Sequence, residues 1–215
     1  MAMKTLLVAA LCAIFGAVAR AFTTSPVDRA STVLQAYSDP KTLPGVLLPL
    51  GFFDPLGFTK GAGIDTVKRY REAELIHGRV SMLAVVGFLV GEQVTGYNPI
   101  FNREITGPAI THLKQLPVEV LAAMVIVIGT IEIDRAVVGF VEPDRASFPG
   151  LLRKSYEPGN VGFDPLGFRP KKPRELLVMQ TKEISNGRLA MLAAAGIMLQ
   201  EVVDGKGIVE HLQSM

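Results

Sequence analysis

The chain contains one segment of itself twice. Phe53-Asp54-Pro55-Leu56-Gly57-Phe58 recurs as Phe163-Asp164-Pro165-Leu166-Gly167-Phe168. Downstream, Glu74-Leu-Ile-His77-Gly78-Arg79-Val-Ser-Met82-Leu83-Ala84-Val-Val-Gly87 recurs as Glu183-Ile-Ser-Asn186-Gly187-Arg188-Leu-Ala-Met191-Leu192-Ala193-Ala-Ala-Gly196. Two blocks recurring in the same order mark a duplicated structural unit. Any fold for this chain must therefore place two similar helices in equivalent surroundings.

Apolarity says what those surroundings are. Of 215 residues, 49% are hydrophobic and 20% charged, and the mean hydropathy is +0.35. A soluble domain carries about 25% charge. Three apolar stretches stand out, Val80–Val94, Val118–Ile133 and Leu189–Val203, the first and third preceded by charged helical runs, Asp65–Arg79 and Arg174–Arg188. Pro117 sits where a first helical turn accepts it. The expected fold class is an all-α membrane protein with three transmembrane helices, the first and third pseudo-two-fold related. Those two helices should be about 28–30 residues long, roughly 42–45 Å, and so tilt in or project from a hydrocarbon core about 30 Å thick. One helix separates the copies, so both cross in the same direction. The pseudo-axis then lies along the membrane normal, unlike that of inverted-repeat transporters. Lys and Arg concentrate before the first helix and between the second and third, which puts the N-terminus and that second loop on one side.

Residues 1–21 read as a signal peptide: Lys4, an apolar core Leu6–Val18, and Ala19-Arg20-Ala21 as the cleavage site. The other reading is an uncleaved anchor, for which thirteen apolar residues are too few to span a bilayer. Residues 22–36, opening on Phe22 and rich in Ser and Thr, read as a transit peptide, and the domain proper as 37–215. Lys4 and Arg20 account for the formal charge of +2; the rest of the chain carries twenty basic and twenty acidic side chains. That balance excludes the basic field of a nucleic-acid binder. The single cysteine, Cys12, excludes intrachain disulfides and cysteine-based metal sites.

Each copy puts a Glu and an Arg at the inner end of an apolar helix. They are five residues apart, about 140° from one another around the helix, so they do not pair along it. The symmetric solution is reciprocal: Glu74 with Arg188, and Glu183 with Arg79. Gly78, Gly187, Gly87 and Gly196 remove side chains where two such helices approach. His77 and Asn186 lie three residues after the glutamates. Gln200 falls on the Asn186 stripe about 21 Å further along. Each offers one N or O donor, which suits the single axial position of a chlorophyll magnesium; the alternative is a hydrogen bond that packs helices.

Both blocks, their order and their spacing resemble the light-harvesting chlorophyll-binding protein family, over about Leu50 to Leu212. The resemblance implies that the first and third helices cross and that a short amphipathic helix lies in the tail Gly207–Met215. Its ligand positions fall on Glu74, His77, Glu183, Asn186 and Gln200, as axial ligands to chlorophyll Mg. The glutamates would both bind chlorophyll and pair with Arg188 and Arg79. Glu132, with Arg135 one turn on, occupies the usual carboxylate position of the second helix. Met124 stands where plant members often have Gln, so that site is not carried over. His211 lies in the tail off the usual register, as a chlorophyll ligand or a water-facing residue. The Phe-Asp-Pro-Leu-Gly-Phe segments would flank carotenoids.

The presequence and the run Gly78–Gly87 resemble the fucoxanthin chlorophyll a/c group of algae. That implies chlorophyll a with chlorophyll c, fucoxanthin-type or related carotenoids, and magnesium only within chlorophyll. It also implies a plastid thylakoid location with the N-terminus stromal. Partners would be a photosystem core, other antenna subunits and thylakoid lipids, with no nucleic acid. The expected function is a light-harvesting antenna passing excitation to a photosystem, and the alternative an energy-quenching, photoprotective member of the same family. An enzyme is not expected: Glu74-x-x-His77 is half of a di-iron motif, but the second copy carries Asn186 and a four-helix bundle is lacking. A transporter would use intramembrane charges, but symmetric pairing argues against it.

Overall fold

The computed structural model describes Tyr37 and residues 39–93, 96–98, 103–164, 166–170 and 172–214. The signal and transit segments lie outside the described residues. Helix α1 spans Ile64–Gln93, and an antiparallel ribbon pairs β1 (Gly96–Asn98) with β2 (Arg103–Ile105). Then come α2 (Ala109–Gln115), α3 (Val118–Gly139), α4 (Pro173–Asp204) and α5 (Ile208–Ser214). Among the described residues the fold is all-helical apart from that ribbon. The long helices are 30, 22 and 32 residues.

Helix α1 is long and apolar enough to cross a membrane. Helix α3 meets that test together with α2, from which it is bent by 106°. The bend has a local cause: Leu116 precedes Pro117, is held extended at φ −67° and ψ 146°, and cannot continue a helix. Pro117 then starts α3 by accepting from the Val120 and Leu121 amides. Helix α4 does not meet the test. Asn186, Arg188, Gln200 and Glu201 lower its hydropathy, so the repeat marks it and apolarity does not.

The chain divides into two compact units, one comprising residues up to Arg69 with Asp134–Met179, the other Tyr70–Ile133 with Gln180–Met215. In the second unit α1 and α4 touch backbone to backbone. A Cβ on Gly78 would lie 3.1 Å from the Gly187 Cα, and one on Gly187 3.0 Å from the Gly78 Cα. Ile184, Gly187, Ala190, Ala194 and Glu201 form the buried stripe of α4 at helical spacing. Gly87 and Gly196 differ from expectation: a Cβ on either would meet no atom of the described residues within 4 Å. Close approach is needed at one point of each helix, and its neighbours face away.

The other unit shows the duplication in its loops. Asp54 accepts from the Phe58 amide (3.0 Å) and the Thr59 amide (2.9 Å); Asp164 accepts from Phe168 and Arg169 (3.0 Å each). Gly57 (φ 70°) and Gly167 (φ 67°) turn the chain at the same place, in a region where a Cβ is strained. Lys68 is fully buried and donates to the carbonyls of Arg153 (2.9 Å) and Lys154 (3.3 Å). The Tyr156 ring covers Gly139, 3.1 Å from where a Cβ would stand.

Two predictions follow from these contacts. Gly78→Ala and Gly187→Ala each force a methyl against backbone and should destabilise the refolded protein by about 1–3 kcal/mol in thermal unfolding. Gly87→Ala and Gly196→Ala should leave protein–protein packing unchanged. The second prediction concerns acid. The Thr59 hydroxyl and amide hold the Asp54 carboxyl below its ordinary value of 3.8. The turn's contribution is therefore complete above that value and is lost as pH falls through the lowered one. Protection of the Phe58 and Thr59 amides, taken relative to the intrinsic exchange rate at each pH, should fall only below the ordinary aspartate range, and in Asp54→Ala should be weak at every pH.

Candidate functional site

The Gly78–Gly187 contact brings the first turns after each glycine within reach of the opposite helix. Arg79 Nε lies 2.7 Å from Glu183 Oε1, and Arg188 Nε 2.7 Å from Glu74 Oε1. The reciprocal pairing expected from the five-residue spacing is the one the structure places here. These charges are half-buried: the side chains are 39% and 31% exposed in one pair, 45% and 28% in the other.

The two pairs differ in one respect. Glu74 Oε2 also receives Arg71 Nη1 at 2.8 Å, and Arg71 is buried. Sequence reasoning missed this residue, although the i,i+3 spacing to Glu74 was a usable signal. The repeat counterpart of Arg71 is Gln180. Glu74 thus has two cations and Glu183 one.

His77 is exposed on α1, and its Nδ1 lies 2.7 Å from the Ala73 carbonyl. An imidazole donating through Nδ1 carries its lone pair on Nε2, the arrangement that prepares a histidine for a metal. Asn186 is exposed on α4 and Gln200 half-exposed further along it. Glu132 is half-exposed on α3, and Met124 exposed there. The Arg135 guanidinium lies over the Phe140 ring, 5.4 Å from its centroid. His211 on α5 has Nδ1 2.8 Å from Asp204 Oδ2.

These donors fit chlorophyll in their chemistry. Among the described residues no three of His, Cys, Asp and Glu are grouped to chelate an ion. What α1 and α4 present is a series of separate N and O donors. Around them stand exposed apolar side chains, Leu83, Val86, Leu189 and Leu192, the kind of surface a macrocycle and its tail would cover.

Known proteins resemble the chain over most of its length. The family model described as Chlorophyll A-B binding protein matches residues 39–202. A "Light-harvesting complex stress-related protein 3.2, chloroplastic" of Chlamydomonas reinhardtii is 49% identical over 175 residues, 80% of this chain and 67% of that protein. A "Fucoxanthin-chlorophyll a-c binding protein, chloroplastic" of Isochrysis galbana is 48% identical over 165 residues, 76% of this chain and 77% of that one. "Chlorophyll a-b binding protein 6, chloroplastic" of Arabidopsis thaliana is 38% identical over 165 residues, 74% of this chain and 64% of its own length.

The unequal ion pairs generate a prediction. Losing one partner costs about 3–5 kcal/mol in a buried pair and about 0–1 in an exposed one, and these lie between. Arg79→Leu strips Glu183 of its cation, whereas Arg188→Leu leaves Glu74 with Arg71. Refolding with pigments should therefore give a lower yield of holoprotein for Arg79→Leu than for Arg188→Leu. Arg71→Gln combined with Arg188→Leu should remove the difference.

Proposed function

The chain belongs to the chlorophyll a/b-binding family of light-harvesting membrane proteins, which are not enzymes, and on that footing we propose that it is a pigment-binding photoprotective member that dissipates excitation. The observation that carries pigment binding is His77, exposed on a helix with Nδ1 committed to a backbone carbonyl. Similarity to the stress-related light-harvesting proteins carries the dissipating role: a protein of that kind is most simply one that disposes of excess excitation. This puts the quenching alternative ahead of the harvesting reading taken first from the sequence. Harvesting remains as a second reading, favoured by the 48% identity to the fucoxanthin-chlorophyll a-c binding protein.

Glu74, His77, Glu183, Asn186 and Gln200 would hold chlorophylls through their magnesium, with Glu132 and His211 as further ligands. Arg79 and Arg188 pair with the two glutamates and hold α1 against α4. Asp204 orients His211 as the Ala73 carbonyl orients His77. Bound chlorophyll supplies light absorption and an excited state; the polypeptide supplies spacing and orientation. Chlorophyll a with chlorophyll c and fucoxanthin-type carotenoids are the pigments that the Isochrysis relative's name supports. Residues 1–36 serve as the two-part presequence, and the domain 37–215 lies in the plastid thylakoid membrane with its N-terminus stromal, beside a photosystem.

Purified pigment-loaded protein tests both levels. His77→Leu should lose about one chlorophyll per polypeptide and still fold, as should Asn186→Leu. Unchanged stoichiometry in both would leave them as packing residues. Chlorophyll fluorescence should have a short lifetime in the intact complex and lengthen when detergent unfolds it. A long lifetime with efficient emission on carotenoid excitation would instead establish harvesting.

A further inference from the structure

The duplication continues past the recurring blocks. Glu92 and Glu201 stand eighteen residues beyond Glu74 and Glu183, so they are each other's counterparts. Glu201, on α4, accepts the Ile110 amide at 2.8 Å through Oε2. Ile110 belongs to α2, the short helix that follows α1 in the chain. Glu92, on α1, accepts the Ile208 amide at 2.9 Å and the Val209 amide at 3.1 Å. Those belong to α5, the short helix that follows α4. Each carboxylate thus holds the short helix of the other copy. The short helices are themselves alike: Ile110-Thr111-His112-Leu113 against Val209-Glu210-His211-Leu212.

Two observations show that these contacts are built. A Cβ at Gly207 would lie 3.0 Å from the Glu92 carboxylate, so glycine is what lets α5 reach it. A Cβ at Gly91 would lie 3.2 Å from His112 Nδ1, so α2 rests on α1 while α4 ties its first turn. Glu201 is 3% exposed, and its Oε1 is enclosed without a donor among the described residues, with the Glu92 carboxyl beside it. A buried carboxyl with one orphaned oxygen is a poor space-filler; the Ile110 amide accounts for its presence. Seven-residue helices are too short to persist alone, and their first amides need acceptors from elsewhere.

We propose that Glu92 and Glu201 are reciprocal positioning residues, each fixing the short helix of the opposite repeat and, with it, His211 or His112. The pseudo-two-fold brace made by the two arginine–glutamate pairs at one level is repeated at a second level by two carboxylate–amide latches. The contacts stand without pigment. The link to a chlorophyll at His211 rests on the function proposed above.

Hydrogen–deuterium exchange of the intact pigment-loaded protein reads the latches directly. Glu92→Ala should speed exchange in 208–214 by about five- to tenfold and change 109–115 much less, through the Glu201 carboxyl beside it. Glu201→Ala should do the reverse. Glu92→Gln, which keeps one of the two acceptor oxygens, should fall between, whereas Glu201→Gln, whose contact uses a single oxygen, should stay near wild type. Ile208→Pro removes one donated amide at a position where proline is tolerated in a helix. It should reproduce part of the Glu92→Ala change in pigment content or absorption and add nothing to it in the double variant. If Glu201→Ala does not refold, Glu92→Ala and Ile208→Pro decide the matter. Faster exchange in the short helix next in sequence to the mutated one, or in neither, overturns the proposal. Crosswise exchange without loss of a His211-dependent pigment retains the latches and refutes only ligation at His211.

Discussion

Contact between Gly78 and Gly187 is the constraint on which the helix pair depends. With backbones this close, any side chain at either position must displace the opposite helix. The proximity also sets the reach of what surrounds it. Arg79 and Arg188, one residue beyond each glycine, arrive within 2.7 Å of a carboxylate on the other helix. Neither pair could form along its own helix, because five residues turn the side chains away from each other. Two residues without side chains therefore decide where four charged ones meet. A half-buried charge next to lipid needs that meeting, since hydrocarbon offers no other partner.

Much of this was legible in the sequence because the duplication is nearly literal. The block from Glu74 to Gly87 and its copy from Glu183 announced two equivalent helices, and the Glu–Arg spacing dictated cross-pairing. What stayed hidden depends on three-dimensional neighbours that spacing does not report. Gly87 and Gly196 look like Gly78 and Gly187 in the alignment, yet they face open space. The break between α2 and α3 is set by a single Leu116-Pro117 step. The ribbon at Gly96–Ile105 carries no alternating apolar pattern to mark it. Polar residues that make α4 chemically interesting are the ones that lower its hydropathy, so function obscures the membrane signal there.

The two copies are not interchangeable, and this bears on the proposed ligand set. His77 corresponds to Asn186 in the other copy, and Arg71 to Gln180. An imidazole oriented by a backbone carbonyl is a stronger donor than an amide oxygen. A carboxylate held by two guanidinium groups is more firmly fixed than one held by a single group. The α1 half therefore offers firmer, better oriented donors than the α4 half. A scaffold that keeps its symmetry in backbone and charge, and breaks it in donors, can hold pigments in similar frames at different energies.

Lys68 has a consequence for the order in which the molecule is completed. Its ammonium is buried against the carbonyls of Arg153 and Lys154, residues more than eighty positions later in the chain. A lysine enclosed without acceptors is untenable, so the start of α1 stays wet until those carbonyls arrive. The first helix is thus the first to be synthesised but cannot be the first to be finished. Its N-terminal turn is sealed only after α3 has been made and the chain has returned through residues 140–154. Contacts this distant in sequence are slow to close, which leaves an interval during assembly when α1 is formed while its basic end is still exposed.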